Sequence, residues 1–160
     1  MCLICNRNIT PFISFGRMPI ANGFLTSSQF KEEYFYDLAV AFCPQCGMVQ
    51  LVEQVDPQKM FHDQYAFYSS TSSRMATHFE QLANSIMAEF LGSADSFVVE
   101  LGSNDGIMLQ HLAKRSIHHL GIEPSTNVAQ AARDKGVQTV CRFFNNDLAK
   151  EIVKQHGQAD

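Results

Sequence analysis

A chain of 160 residues is long enough for one ordinary domain, or for a small module joined to part of a second. With 46% hydrophobic and 18% charged residues the composition is globular and does not favour disorder. The net charge of -4 and the lack of any basic run argue against DNA or RNA as the main partner.

Met1 to Asn8 hold two cysteines and no charged lead into an apolar core, so no signal peptide is read there. No apolar run reaches the roughly 18 residues needed to cross a bilayer. A cytoplasmic protein with no membrane partner is therefore expected, and in a reducing compartment close cysteine pairs are metal ligands more often than disulfides.

The first region, 1–56, carries Cys2-x-x-Cys5 and Cys43-x-x-Cys46. Alternating apolar residues predict strands over 36–42 and 48–52, with Cys43 to Gly47 as the turn between them. Each CxxC turn lets two thiolates reach one ion, and two such turns complete a tetrahedral shell for Zn2+. Four sulfur ligands leave no open coordination position, so the metal should hold the fold and do no catalysis. The competing reading, four buried or redox cysteines, fits the repeated spacing less well. Cys141 stands alone among apolar neighbours and reads as a core residue.

In the second region, 57–92, the aromatic run Tyr65-Ala66-Phe67-Tyr68 precedes the clearest helix of the chain. Met75, Phe79, Leu82, Ile86 and Phe90 recur at steps of three and four, an apolar stripe expected to be core. Ser72 or Ser73 suits the N-cap and Gly92 the stop.

The third region, 93–160, alternates. Strands are predicted over 96–101, 119–123 and 137–144, each followed by an amphipathic helix. This βαβαβα order implies a parallel sheet. The alternation then breaks off, so the chain reads as a fragment, and the unpaired sheet edge makes self-association an expectation.

The turn Gly102-Ser103-Asn104-Asp105-Gly106 follows the first of these strands, where nucleotide-type ligands bind parallel sheets. A dinucleotide fingerprint needs glycines at its first, third and sixth positions, but Asn104 and Ile107 occupy the last two. The Gly-Lys-Ser/Thr of a phosphate loop is also missing. S-adenosylmethionine remains. Gly102 and Gly106 would let the backbone approach it, and Glu100 would meet its positive methionyl portion. Glu123, at the end of the next strand, would accept from both ribose hydroxyls. A plain tight turn and a solvated strand end are the bland alternatives.

Three stretches together resemble the nucleotide-sugar C-methyltransferases: the cysteine pairs with Phe42 to Leu51, then Tyr65 to Ser72, then Glu100 to Met108 with Gly121 to Ser125. The resemblance covers essentially the whole chain. It implies an α/β protein in which a β-rich zinc module precedes the first half of a Rossmann-like class I methyltransferase domain. It also implies a nucleotide-linked 4-keto-deoxysugar substrate, methylated at C3 through an enolate. The cofactor-binding residues would be Glu100, Gly102, Asn104, Asp105, Gly106 and Glu123.

The family's tyrosine at the substrate maps to Tyr65, with Tyr68 as second choice; both can instead simply pack. His62 suits a structural role, and His111, His118, His119 and His156 match no catalytic motif. The family's catalytic base falls beyond Asp160, so this chain alone is expected to be inactive. The alternative from another class is a free-standing zinc-binding interaction module without enzyme activity.

Overall fold

The computed structural model describes residues 1–21, 23–93 and 95–160. They form two compact units, Met1–Met60 and Phe61–Asp160.

The first unit is a three-stranded antiparallel sheet of β1 (Thr10–Pro19), β2 (Phe35–Phe42) and β3 (Val49–Leu51), followed by the short helix α1 (Pro57–Met60). β2 and β3 pair from Phe42↔Val49 to Val40↔Leu51, so the turn between them is the second cysteine pair. The long edge strand β1 was not foreseen. Its apolar residues do not alternate cleanly, because its register against β2 shifts twice, between Pro11 and Ile13 and between Ser14 and Arg17. Among the described residues of this unit, only Cys2, Ala41, Cys43 and Gln50 are buried. That is too little apolar burial to fold a unit of this size, so the cysteine cluster must take the place of a core.

The second unit starts with α2 (Ser73–Glu89) and continues through β4 (Phe97–Leu101), α3 (Leu109–Ala113), β5 (His118–Ile122), α4 (Thr126–Asp134), β6 (Thr139–Val140) and α5 (Asn146–His156). The strands are parallel in the order β4-β5-β6, with β5 in the centre. Alternation along β4 sends Val98 to one face and Phe97 and Val99 to the other. Val98 joins a core of Ala83, Met108, Leu109, Leu112, Ala132 and Val137, whereas Phe97 and Val99 pack with Leu120, Ile122, Leu148 and Ile152. Helices thus cover both faces of the sheet, the three-layer α/β arrangement of a Rossmann-like domain.

Three expectations need correction. The strand expected over 137–144 is only Thr139–Val140, because the chain leaves the sheet after pairing Gly121↔Thr139 and Ile122↔Val140. Cys141 therefore lies past the strand, half-buried, with its thiol toward the Pro124 carbonyl. The apolar stripe of α2 is not wholly core. Met75, Leu82 and Phe90 are 42%, 38% and 68% exposed, and the packed line runs through Phe79, Ala83, Ile86 and Met87. Within that line Ala83 is fully buried, between the stripe's own Phe79 and Ile86. Ser72 caps α2 by accepting from Met75 N at 3.3 Å, and the helix ends before Gly92.

Candidate functional site

The two cysteine turns are built alike. Asn6 N donates to the Cys2 carbonyl at 3.0 Å and Gly47 N to the Cys43 carbonyl at 2.9 Å. Cys2 N and Cys43 N each reach five residues ahead, to Arg7 O and Met48 O, both at 2.8 Å. Asn6 and Gly47 have φ of 55° and 77°, left-handed values that asparagine and glycine tolerate best.

The sulfurs interleave, with Cys2 Sγ 3.5 Å from Cys46 Sγ and Cys5 Sγ 3.5 Å from Cys43 Sγ. All four lie within 4.8 Å of one another. A tetrahedral zinc with bonds of about 2.3 Å spaces its sulfurs about 3.8 Å apart, so the cluster fits the ion.

Amides of Cys5 and Ile4 aimed at Cys2 pull its thiol down to about 6 against the effect of burial. Burial acts upward on Cys43, but the Cys46 and Gln45 amides outweigh it and its thiol is lowered too. The Arg7 amide acts downward on Cys5, yet burial and the neighbouring thiols push it up to about 12. Four thiols so close cannot all ionise without a cation, and a metal is what allows it.

Gln50, which the sequence reading passed over, braces this centre. Its Oε1 accepts from Leu3 N at 2.8 Å and its Nε2 donates to Met1 O at 3.1 Å, tying the first turn to β3. Its place within an alternating strand gave no signal for this.

In the second unit the loops after β4 and β5 face each other. Gly102 N and Ser103 N donate to Ile122 O at 2.8 and 3.2 Å. Both oxygens of the buried Glu123 carboxylate are held by amides, Oε2 by Asn104 N at 3.0 Å and Oε1 by Ser125 N at 2.8 Å. Glu100 Oε2 is buried without a partner, and burial pushes its carboxyl up to about 7. Ser103 Oγ, Asp105 Oδ1, Ser125 Oγ and Asn127 Oδ1 are also buried and unpartnered.

The two glycines of the turn differ. Gly102, at φ +73°, faces open space. Gly106 shares that φ, but a Cβ there would meet Val137 Cγ2 at 2.8 Å and Ala132 Cβ at 3.2 Å, so packing already fills the space beside it.

Asn104 and Asp105 turn their side chains to the aromatic segment. Asn104 Oδ1 accepts from Ser69 N at 2.9 Å, its Nδ2 donates to Phe67 O at 3.0 Å, and Asp105 Oδ2 accepts from Ser70 N at 3.2 Å. Asn127 Nδ2 donates to Tyr65 O and to the Tyr68 hydroxyl. The Tyr65 ring lies 5.5 Å from that of Phe61. An apolar groove lined by Val99, Leu101, Phe144, Ile152 and Val153 lies on the opposite, α5-packed face and offers no polar group for chemistry.

Fold and sites together define a class: a four-cysteine zinc-binding module followed by a parallel, helix-covered sheet of Rossmann-like order. Residues 2–61 match the family model described as a putative zinc binding domain. Over 161 residues the chain is 29% identical to the C-methyltransferase NovU of Streptomyces niveus, an alignment covering 99% of this chain and 38% of that protein. The resemblance to a C-methyltransferase thus runs through both units, and the chain spans well under half the length of that relative.

Among solved structures, the plantazolicin methyltransferase BpumL in complex with SAH is 17% identical over 42% of this chain and 29% of its own, with a TM-score of 0.33. Streptomyces venezuelae DesVI is 18% identical over 54% of this chain and 36% of its own, with a TM-score of 0.35. Among the described residues no helix is long and apolar enough to cross a membrane.

Proposed function

We propose that this chain is the metal module and cofactor-binding half of an S-adenosylmethionine-dependent C-methyltransferase. Its substrate is a nucleotide-linked 4-keto-deoxysugar, methylated at C3. The observation that carries the cofactor reading is Glu100 Oε2, a buried carboxylate oxygen without a partner beside the open turn at Gly102. Buried polar atoms are normally satisfied, and an unpaired carboxylate calls for a cation.

When bound, S-adenosylmethionine supplies an electrophilic methyl group next to its own positive charge. Glu100 would hold that positive portion. The two amides on Glu123 fix its carboxylate and leave one lone pair on each oxygen for ribose hydroxyls. Gly102 admits the ligand to the backbone. A phenol of the Tyr65–Tyr68 segment would hydrogen-bond the substrate oxygen on which charge develops once the neighbouring carbon loses its proton.

On the family resemblance the base for that proton lies outside these residues, and four of the six histidines are already engaged within the chain. His119 is bridged between Ile117 O and Gln138 N, His118 and His156 stack on Phe97, and His62 accepts from Gln64 N. These residues alone are therefore expected to bind the cofactor without turnover.

Calorimetric titration of S-adenosylhomocysteine into the zinc-loaded chain tests the reading. Binding that weakens about tenfold or more in Glu123→Gln is the expected result, since each lost charge-assisted bond costs a kilocalorie or more. No heat and no chemical-shift change in folded protein would instead favour a zinc-binding interaction module. Incubating a longer form of the protein with thymidine-diphosphate 4-ketosugars and labelled cofactor tests the substrate class.

A further inference from the structure

Lys135 follows α4 and spends all three ammonium protons inside the unit. Its Nζ lies 2.7 Å from Ser70 Oγ, 2.8 Å from Asp105 O and 3.0 Å from Asp105 Oδ2. The pair is largely enclosed, with side-chain exposures of 30% for Lys135 and 3% for Asp105. An ammonium with three protein acceptors has nothing left for a ligand. A surface lysine beside a carboxylate would normally keep its head in water, so an ammonium turned inward to three protein acceptors needs a reason.

The reason lies in what it joins. Asp105 O belongs to the glycine turn, and Ser70 belongs to the segment that carries Tyr65 and Tyr68. Asp105 Oδ2 takes both Lys135 Nζ and Ser70 N, and Asn104 binds Ser69 N and Phe67 O beside it. Asn104 N meanwhile holds Glu123. One chain of bonds therefore runs from the aromatic segment through the turn to the second candidate cofactor acid.

We propose that Lys135 is a positioning residue, which fixes the Tyr65–Tyr68 segment against the glycine turn so that a ligand filling the turn finds the phenols in place. Its link to catalysis rests on the cofactor reading; the latch itself does not.

Hydrogen exchange on the ligand-free, zinc-loaded chain tests the latch directly. In Lys135→Met the Ser69 and Ser70 amides are expected to exchange about tenfold faster or more, as a local opening does, while Val99 and Leu120 in the sheet keep their protection. Unchanged exchange at Ser69 and Ser70 overturns the proposal, whether or not a cofactor binds. Should Lys135→Met fail to fold, Ser70→Ala keeps the Lys135–Asp105 pair and should speed the same amides about threefold; no change there overturns the proposal equally.

The positioning role is read from the fluorine resonance of 3-fluorotyrosine at position 68 during titration with S-adenosylhomocysteine. The wild-type signal is expected to shift on binding. In Lys135→Met the ligand should bind with most of that shift lost, and a full shift overturns the role. A wild-type protein that binds none of the ligand sinks the cofactor reading and with it the catalytic link, and exchange alone then decides the latch.

Discussion

Asn127 Nδ2 stands 2.9 Å from the Tyr68 hydroxyl oxygen and, with the same nitrogen, 2.7 Å from the Tyr65 carbonyl. An amide nitrogen only donates, so the Tyr68 oxygen is the acceptor and its own proton is left free to point at a ligand. Tyr65 keeps its ring against Phe61 and offers its backbone instead. On the proposed function this bond leaves Tyr68 able to donate to the substrate oxygen, beside the Tyr65 that the resemblance favours.

Urea unfolding of single and double variants checks that bond. Asn127→Ala is expected to cost about 1–2 kcal/mol and Tyr68→Phe about 1 kcal/mol. Because they share the bond, the double variant should lose less than the sum by about 0.5–1 kcal/mol. Strict additivity would show that the two groups do not interact.

Removing the metal should unfold the first unit. With so few of its described residues buried, little else holds Met1–Met60 together. A strong chelator is expected to abolish amide protection in β2 and β3 while β4 and β5 stay protected. Metal analysis should find one zinc per folded chain, and retained protection in β2 after complete chelation would refute the bracing role. Gln50→Ala should speed metal loss, since it frees Leu3 N from its anchor.

Glu100 makes stability depend on pH. Burial raises its carboxyl from the ordinary 4.5 to about 7, so between those values the unfolded chain is ionised while the folded one keeps its proton. The folded state binds more protons in that window, and stability falls as pH rises through it, then levels off above 7. Glu100→Gln should therefore be about 1–3 kcal/mol more stable than the parent at pH 8 and nearly equal to it at pH 4.5. Equal stability at both pH values would mean Glu100 is solvated. On the proposed function, a cationic ligand restores the charge, so S-adenosylmethionine should bind more tightly at pH 8 than at pH 6.

The two glycines of the turn should respond differently to alanine. Gly102→Ala adds only the strain of a left-handed φ, about 1–2 kcal/mol. Gly106→Ala adds that strain and a Cβ 2.8 Å from Val137 Cγ2, and should cost clearly more in thermal unfolding. Equal costs would show that Val137 yields without loss.

Local signals that chemistry enforces were legible in the sequence. The CxxC repeat announced the sulfur cluster, since only four thiolates at that spacing close a shell. The order of strands, turn and helices in the second unit was readable because fully buried parallel strands are continuous apolar runs. What escaped was set by partners far away in the chain. The packed face of α2 includes Ala83 and Met87 beside the expected Phe79 and Ile86, and the burial of so small a side chain as Ala83 leaves little mark in the apolar pattern. Lys135 and Asn127 drew no reading from the sequence, because acceptors that give them their roles lie some sixty positions earlier. Gly106 looked like a ligand-facing glycine, yet its constraint comes from Val137, on the far side of α4.

The two register shifts of β1 carry a consequence for how this edge can change. Ten residues of β1 lie against eight of β2, so two residues are surplus, one at each shift. A strand shows alternate faces, and each surplus residue reverses that alternation. The reversals cancel: Thr10 and Met18 keep the phase an unbroken strand would give them, and only the stretch between the shifts is inverted. Deleting one surplus residue would turn over every side chain on one side of it, whereas deleting both would restore a straight strand. Length changes at this edge should therefore be tolerated in pairs and not singly, and the straightened strand, having lost its kinks, would be the stickier one.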